Sequence, residues 1–311
     1  MRILFMGTPE FAVPCLRVLV DEGYDVAGAV TQPDKPKGRG HKMAPPPVKE
    51  YALEKSIPVY QPVKLKNNEF LDDLQHINPD LIVVVAYGKI LPSYILEYPK
   101  YGCINVHASL LPKYRGAGPI QWSIINGEKE TGITTMYMEI GLDTGDMILK
   151  RALTIGEYET AGELHDRLSV LGAEVLKETV KLIKENAAPR EPQLNDAATY
   201  APMLDKAISK IDWNKSAVEI KNLVRGVNPW PVAYSQYQGQ TMKVWSVEIG
   251  DDCKKSTPGT IVDYIKGKGL AVQAGGGQCI LIKELQFTGG KRMTVDHYLL
   301  GHSIQIGERL E

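Results

Sequence analysis

Short, β-branched apolar runs alternate with helix-length amphipathic stretches through the first half of the chain, and this alternation restricts the fold more than any other feature. Ile3 to Met6, Val26 to Val30, Leu81 to Ala86 and Ile104 to Val106 have strand length and are bounded by Gly, Pro or Asn-Pro. Between them, Pro9 to Val20 and Pro47 to Lys55 are long enough to serve as crossover helices. Strand, helix and strand in repetition predict a doubly wound α/β domain, a parallel sheet with helices on both faces.

In such a sheet the ligand crevice lies outside the carboxyl ends of the strands. Gly7-Thr8-Pro9, Thr31 to Pro33, Tyr87-Gly88 and His107 to Pro112 all fall there. The first turn, GTPEF, lacks the second and third glycines that let a pyrophosphate approach a helix N-terminus, which argues against a dinucleotide cofactor.

Thr160 to Glu185 reads as a long helix, its apolar stripe of Leu164, Leu168, Leu171, Val175 and Leu182 interrupted at Thr179. Residues 187–201 (AAPREPQLNDAATYA) lose all periodicity and read as a linker. Beyond Lys210 the pattern changes to short strands, at Met242 to Ile249, Gly259 to Val262, Leu270 to Gln273 and Cys279 to Leu285, suggesting a small barrel or sandwich, with a β-barrel of the oligonucleotide-binding (OB-like) type as one option. A length of 311 residues suits two domains. We expect a first domain over 1–189, a linker over 190–208 and a second domain over 209–311.

Four scattered cysteines, with no CxxC pair and no His-Cys cluster, point to reduced thiols and to no structural metal. The opening MRILFMGTPEF is unlike a signal peptide, and no stretch reaches membrane-span length, so a cytoplasmic protein is expected. Net charge is −1, although residues 209–311 carry 13 Lys or Arg against 10 Asp or Glu. Lys35, Lys37, Arg39 and Lys42 concentrate positive charge in a loop-like KPKGRGHK, which suits either phosphate binding or plain solvation. In the second domain Lys210, Lys215, Arg225, Lys243, Lys291 and Arg292 are candidate phosphate contacts, while Trp213, Trp230 and Trp245 are expected to pack in the core or between domains.

The sharpest local chemistry is Asn105-Val106-His107-Ala108-Ser109-Leu110-Leu111-Pro112. If the strand continues to His107, Asn105 and His107 point to one face, an amide beside an imidazole. That pair could bind an oxyanion and transfer protons, or it could be structural. Gly141-Leu142-Asp143-Thr144-Gly145-Asp146 offers carboxylates on a Gly-bracketed loop, or a plain turn.

The string INVHASLLPKYRGAGPIQWSIINGEKETGIT, followed by GLDTGD, resembles the core of the 10-formyltetrahydrofolate-dependent formyltransferases. The opening MRILFMGTPEFAVPCL, TQPDKPKGRG, IDWNKSA and NPWP resemble their methionyl-tRNA branch, so the likeness spans nearly the whole chain. It implies a Rossmann-like first domain and a tRNA-binding second one, with 10-formyltetrahydrofolate as co-substrate, initiator methionyl-tRNA as acceptor, and no metal or obligate protein partner. Asn105, His107 and Asp143 would be the catalytic trio, and Ser109, Leu110, Leu111 and Pro112 part of the folate site. Arg39, with Lys37 and Lys42, would meet the RNA. The nucleophile would be the substrate's own amine, which explains why no activated Cys or Ser is needed. Two rival readings are a formyltransferase for small amines such as nucleotide sugars, and a non-catalytic RNA-binding module.

Overall fold

The structure, a computed structural model, describes residues 1–37, 42–252 and 256–311. It divides into two compact units that are discontinuous in sequence. Unit 1 holds Met1–Pro119, Glu130–Thr154 and His165–Ala201, and unit 2 holds Ile120–Lys129, Ile155–Leu164 and Pro202–Glu311.

In chain order the first elements are β1 (Arg2–Gly7), α1 (Val13–Asp21), β2 (Asp25–Val30), β3 (Lys35–Lys37), β4 (Lys42–Ala44), α2 (Pro47–Glu54) and β5 (Val59–Tyr60). There follow α3 (Leu71–Ile77), β6 (Leu81–Val85), α4 (Ser93–Leu96), β7 (Cys103–His107), α5 (Pro119–Ile125), β8 (Glu130–Tyr137), β9 (Met147–Thr154) and α6 (Ala161–Lys184). Seven of the strands form one sheet in the order β5-β2-β1-β6-β7-β8-β9. The chain builds outward from β1 to β2 and β5, then restarts on the other side with β6 and β7. That reversal is the switch point of a doubly wound fold.

The sheet is not wholly parallel, because β8 runs antiparallel to β7, and β9 to β8. The apolar runs read from the sequence are its central strands: β6 is buried at every position and β1 at all but its first, as burial on both faces demands. The face bearing Val106 packs on α6, where a Cβ on Gly172 would come 3.3 Å from Val106 Cγ1. Thr179, which breaks that helix's apolar stripe, is fully buried there, and its hydroxyl lies 2.7 Å from that of Thr135 on β8. Alternation along β7 therefore turns Asn105 and His107 to the opposite face.

β3 and β4 form a separate two-stranded antiparallel ribbon in which Lys37 pairs with Lys42. Arg39, expected to meet RNA, lies outside the described residues.

Unit 2 is built on α7 (Ala217–Gly226), β10 (Ala233–Tyr237), β11 (Gln240–Asp252), β12 (Ile261–Ile265), β13 (Gly269–Gln273), β14 (Gln278–Phe287), β15 (Met293–Thr294) and α8 (Val295–Tyr298). Ser216 opens α7 with a capping box closed by Glu219. The strands form an antiparallel sheet ordered β10-β11-β14-β13-β12, with β15 on β14. Register shifts at three places bend β11 along β14. The segment after α8 reaches both edge strands: Ile261 N of β12 donates to Glu308 O at 2.8 Å, and Gln236 N of β10 donates to Glu311 O at 2.7 Å. A mostly antiparallel sheet bridged at both edges is consistent with a small β-barrel.

Several surface expectations change. Arg225 is buried in unit 2 and donates to Asn222 Oδ1, Gly156 O and Glu159 O, so it is structural and unavailable to phosphate. Lys215 pairs with Glu219, and Arg292 pairs with Glu284 and covers the Trp245 ring. Trp213 is in the core as expected, whereas Trp230 is 58% exposed. Cys15 and Cys103 are free and buried, but Cys279 is disulfide-bonded, so the expectation of four reduced thiols fails. Distance along the chain says nothing of which thiols a fold brings together.

Candidate active site

At the switch point between β1 and β6 the turn residues bond to one another. Thr8 Oγ1 donates to Tyr87 O at 3.1 Å, and Gln32 Nε2 donates to the same carbonyl at 3.0 Å. Tyr87 is buried, and burial pushes its phenol up to about 12. The chemistry gathers one strand further along, at the end of β7.

His107 is buried and places Nε2 2.9 Å from Tyr114 O. A carbonyl oxygen only accepts, so this nitrogen carries the proton and donates. Its other nitrogen, Nδ1, faces Asp143 Oδ2 at 3.7 Å. Asn105 Nδ2 donates toward Asp143 Oδ1 at 3.5 Å. One carboxylate thus spans the amide and the imidazole, which confirms that both stand on one face.

The register explains how the carboxylate arrives. β8 is antiparallel, with Thr134 opposite His107 and Tyr137 opposite Ile104, and Met138 N donates to Cys103 O at 2.8 Å. The following loop leaves beside the start of β7 and folds back over the Asn105 face before β9 begins. Asp143 takes a left-handed conformation at the tip, φ 53°. Gly116 N donates to its Oδ2 at 2.8 Å, giving the carboxylate one backbone anchor. Gly145 is needed in the return, because a Cβ there would collide with Tyr137 O. Ile140 and Leu142 stand exposed on the same loop, apolar surface next to polar chemistry that the sequence reading passed over.

Ser109 is buried and donates to Lys113 O at 2.7 Å, and Thr134 Oγ1 accepts from Leu111 N and donates to Ser109 O. Leu111 is buried with Met136 and Met147, while Leu110 and Pro112 are half-buried. Ser109 and Leu111 therefore hold the shape of the loop. Lys37 and Lys42 belong to the β3–β4 ribbon. Among the described residues, no group of three or more His, Cys, Asp or Glu is placed to hold a metal, and no helix is long and apolar enough to cross a membrane.

Sequence reading missed Arg115 and Gln193. Arg115 is buried and donates from Nε and Nη2 to Gln193 Oε1 at 3.0 and 2.8 Å, and Gln193 Nε2 donates to Asp143 O and Gly145 O, both at 2.8 Å. Gln193 sits in an aperiodic stretch, where nothing local marks it.

A family profile described as "Formyl transferase" matches residues 1–180, and one described as "Formyl transferase, C-terminal domain" matches residues 203–303. A methionyl-tRNA formyltransferase of Acetivibrio thermocellus is 58% identical over 311 residues, covering 100% of this chain and 99% of the relative. One of Geobacter sulfurreducens is 51% identical over 310 residues, covering 100% and 96%. Among solved structures, the N-formyltransferase from Helicobacter canadensis in complex with folinic acid and dTDP-3-aminofucose superposes with a TM-score of 0.68 at 19% identity, over 90% of this chain and 98% of that one. HypX from Aquifex aeolicus in complex with tetrahydrofolic acid gives a TM-score of 0.62 at 14% identity, over 99% of this chain and 50% of that one. At such identities the two structures show a shared fold.

Proposed function

The chain belongs to the formyl transferase family, on its methionyl-tRNA formyltransferase branch, and on that footing we propose that Asn105, His107 and Asp143 carry the formylation of methionyl-tRNA. The formyl group comes from 10-formyltetrahydrofolate and goes to the α-amino group of the methionyl residue. The observation that supports this site is the single carboxylate of Asp143 held between the Asn105 amide and the His107 imidazole.

When bound, 10-formyltetrahydrofolate supplies the formyl carbon and the nitrogen that leaves with a proton. The donor set fits such a group: an amide N–H and an imidazole facing Asp143, whose loop also exposes Ile140 and Leu142 as apolar surface. We also assign the half-buried Leu110 and Pro112 to the folate site, with Ser109 and Leu111 holding their loop in shape. Asn105 presents an N–H to the formyl oxygen as negative charge gathers there, and a preorganised donor of this kind contributes about 3 kcal/mol. His107 keeps its Nε2 proton on Tyr114 O, which leaves Nδ1 as the nitrogen that exchanges protons. Asp143 accepts from that nitrogen when it is protonated, and carries the proton of the attacking amine toward the leaving nitrogen. Its 3.7 Å separation from Nδ1 is long for direct transfer, and catalytic hydrogen bonds tighten in the substrate complex.

On the RNA side we assign Arg39, Lys37 and Lys42 to the acceptor end of an initiator methionyl-tRNA, where guanidinium and ammonium groups meet phosphates. Translation initiation in the cytoplasm is the setting this implies.

The test is formyl transfer from 10-formyltetrahydrofolate to initiator methionyl-tRNA, elongator methionyl-tRNA, free methionine and an amino-sugar nucleotide, by wild type and by folded His107→Ala and Arg39→Ala. The expected result is preference for the initiator, loss of transfer in His107→Ala, and weakened use of charged RNA in Arg39→Ala with folate binding kept. Equal use of free methionine would remove the RNA reading, and normal turnover by His107→Ala would remove the site.

A further inference from the structure

Residues 191–201 have no periodicity of their own, yet they are tied at successive points to the two loops that flank His107. Glu191 exchanges backbone hydrogen bonds with Met147, N to O at 3.0 and 2.9 Å, at the end of the Asp143 loop. Thr199 Oγ1 accepts from Tyr114 N at 2.9 Å, and the carbonyl of Tyr114 is the one that His107 Nε2 addresses. Arg115 N donates to Thr199 O at 2.8 Å, and Ala201 N donates to Arg115 O at 2.7 Å. Between these ties stands Gln193.

Asp143 occupies a left-handed conformation, which Asp adopts more readily than most non-glycine residues. Its carboxylate has one backbone anchor, Gly116 N, but its main chain is held by Gln193, whose Nε2 donates at 2.8 Å to both Asp143 O and Gly145 O. The orientation of that amide is not arbitrary. Oε1 accepts two N–H groups from the buried Arg115 guanidinium, which only donates, so Nε2 must face the two carbonyls. Arg115 is fixed in turn by Asn195 Oδ1, 3.0 Å from Nη2.

We infer that Gln193, locked by Arg115, is a positioning residue for formyl transfer: it clamps the turn around Asp143 so that the carboxylate stays between Asn105 and His107. The inference rests on the proposed role of Asp143. Gln193 touches none of the reacting atoms and acts through the backbone of the residue that does.

Gln193→Glu isolates the clamp. It keeps an acceptor for Arg115 but replaces the donor by a second oxygen facing two carbonyls, while Gln193→Leu removes both functions. Gln193→Glu should melt near wild type, Gln193→Leu should melt lower because the buried Arg115 guanidinium loses two acceptor contacts, and both should bind both substrates with KM little changed. Their kcat should fall by about 10- to 100-fold, the effect of misplacing a reacting group by about an ångström. Amide exchange over residues 141–146 should accelerate, while β7 and α6 keep their protection. In an Asp143→Asn background, Gln193→Glu should lower kcat by less than about twofold further, because residues acting through one another are not additive.

Wild-type kcat in Gln193→Glu, unchanged exchange in the loop, or a full multiplicative loss on top of Asp143→Asn would each overturn the inference. Wild-type turnover by Asp143→Asn, with loop exchange still accelerated in Gln193→Glu, would instead overturn the role of Asp143 and leave the clamp as loop architecture alone.

Discussion

Asp143 Oδ2 faces His107 Nδ1 across 3.7 Å, on the side of the imidazole opposite its hydrogen bond to Tyr114. A carboxylate so placed accepts from Nδ1 once that nitrogen takes up a proton, and so aligns the imidazolium form of the ring. Asp143→Asn preserves shape and the acceptor for Gly116 N while removing the charge. It should lower kcat by about 10²- to 10⁴-fold, the span of a positioned acid or base, with circular dichroism unchanged. Single-turnover kinetics with saturating substrates would check it, and a loss below tenfold would count against the proton-relay role.

Gly145 gives a second handle on the same loop. Any side chain there meets the carbonyl of Tyr137, which β8 holds in place, so the loop itself must move. Gly145→Ala should therefore shift Asp143, lowering kcat about 10-fold or more. Stability should fall by about 1–3 kcal/mol, the usual cost of imposed backbone strain. Steady-state kinetics set beside a thermal melt would separate the two effects, and unchanged turnover would mean that the loop tolerates displacement.

The buried Thr135–Thr179 pair is a structural counterpart. Thr179 donates to Val175 O at 2.7 Å within α6, so Thr135 donates to Thr179 and accepts from Leu149 N at 3.2 Å. Thr179→Val keeps the volume but leaves the Thr135 hydroxyl without its acceptor. A loss of about 1–3 kcal/mol is expected, the desolvation cost of an unpaired buried polar group. Urea denaturation would measure it, and a change below about 0.5 kcal/mol would show that the pair is dispensable.

Burial pushes the Cys15 thiol from 9.0 to about 12, and burial raises Cys103 as well. Thiolate-directed reagents at pH 8 should leave both unmodified in the native protein and label both in denaturant. The sign of the pH effect follows. A raised folded-state value means that this contribution to stability is intact below pH 9 and is lost as pH climbs toward 12. Mass spectrometry after brief alkylation is the readout; rapid native labelling of Cys15 would show that α1 opens readily.

Much of this was legible in the residues themselves. Strand-length runs at Ile3 to Met6 and Leu81 to Ala86 became β1 and β6, and the helix expected over Thr160 to Glu185 is Ala161–Lys184. The spacing of Asn105 and His107 put an amide and an imidazole on one side of β7, because a strand repeats every second residue. The antiparallel reversal of β8 was not legible, since a buried run carries no mark of its direction. Nor was the involvement of residues 120–129 and 155–164 in unit 2.

The order of residues determined periodicity, and with it which stretches become strands or helices and which side chains share a face, because those depend on neighbours a few positions away. Only tertiary structure decided that Asp143, 36 positions beyond His107 in the numbering, returns over β7, and that Gln193, in a stretch without pattern, holds it there. Those contacts follow from pairing register and loop closure, and a local sequence repeat encodes neither.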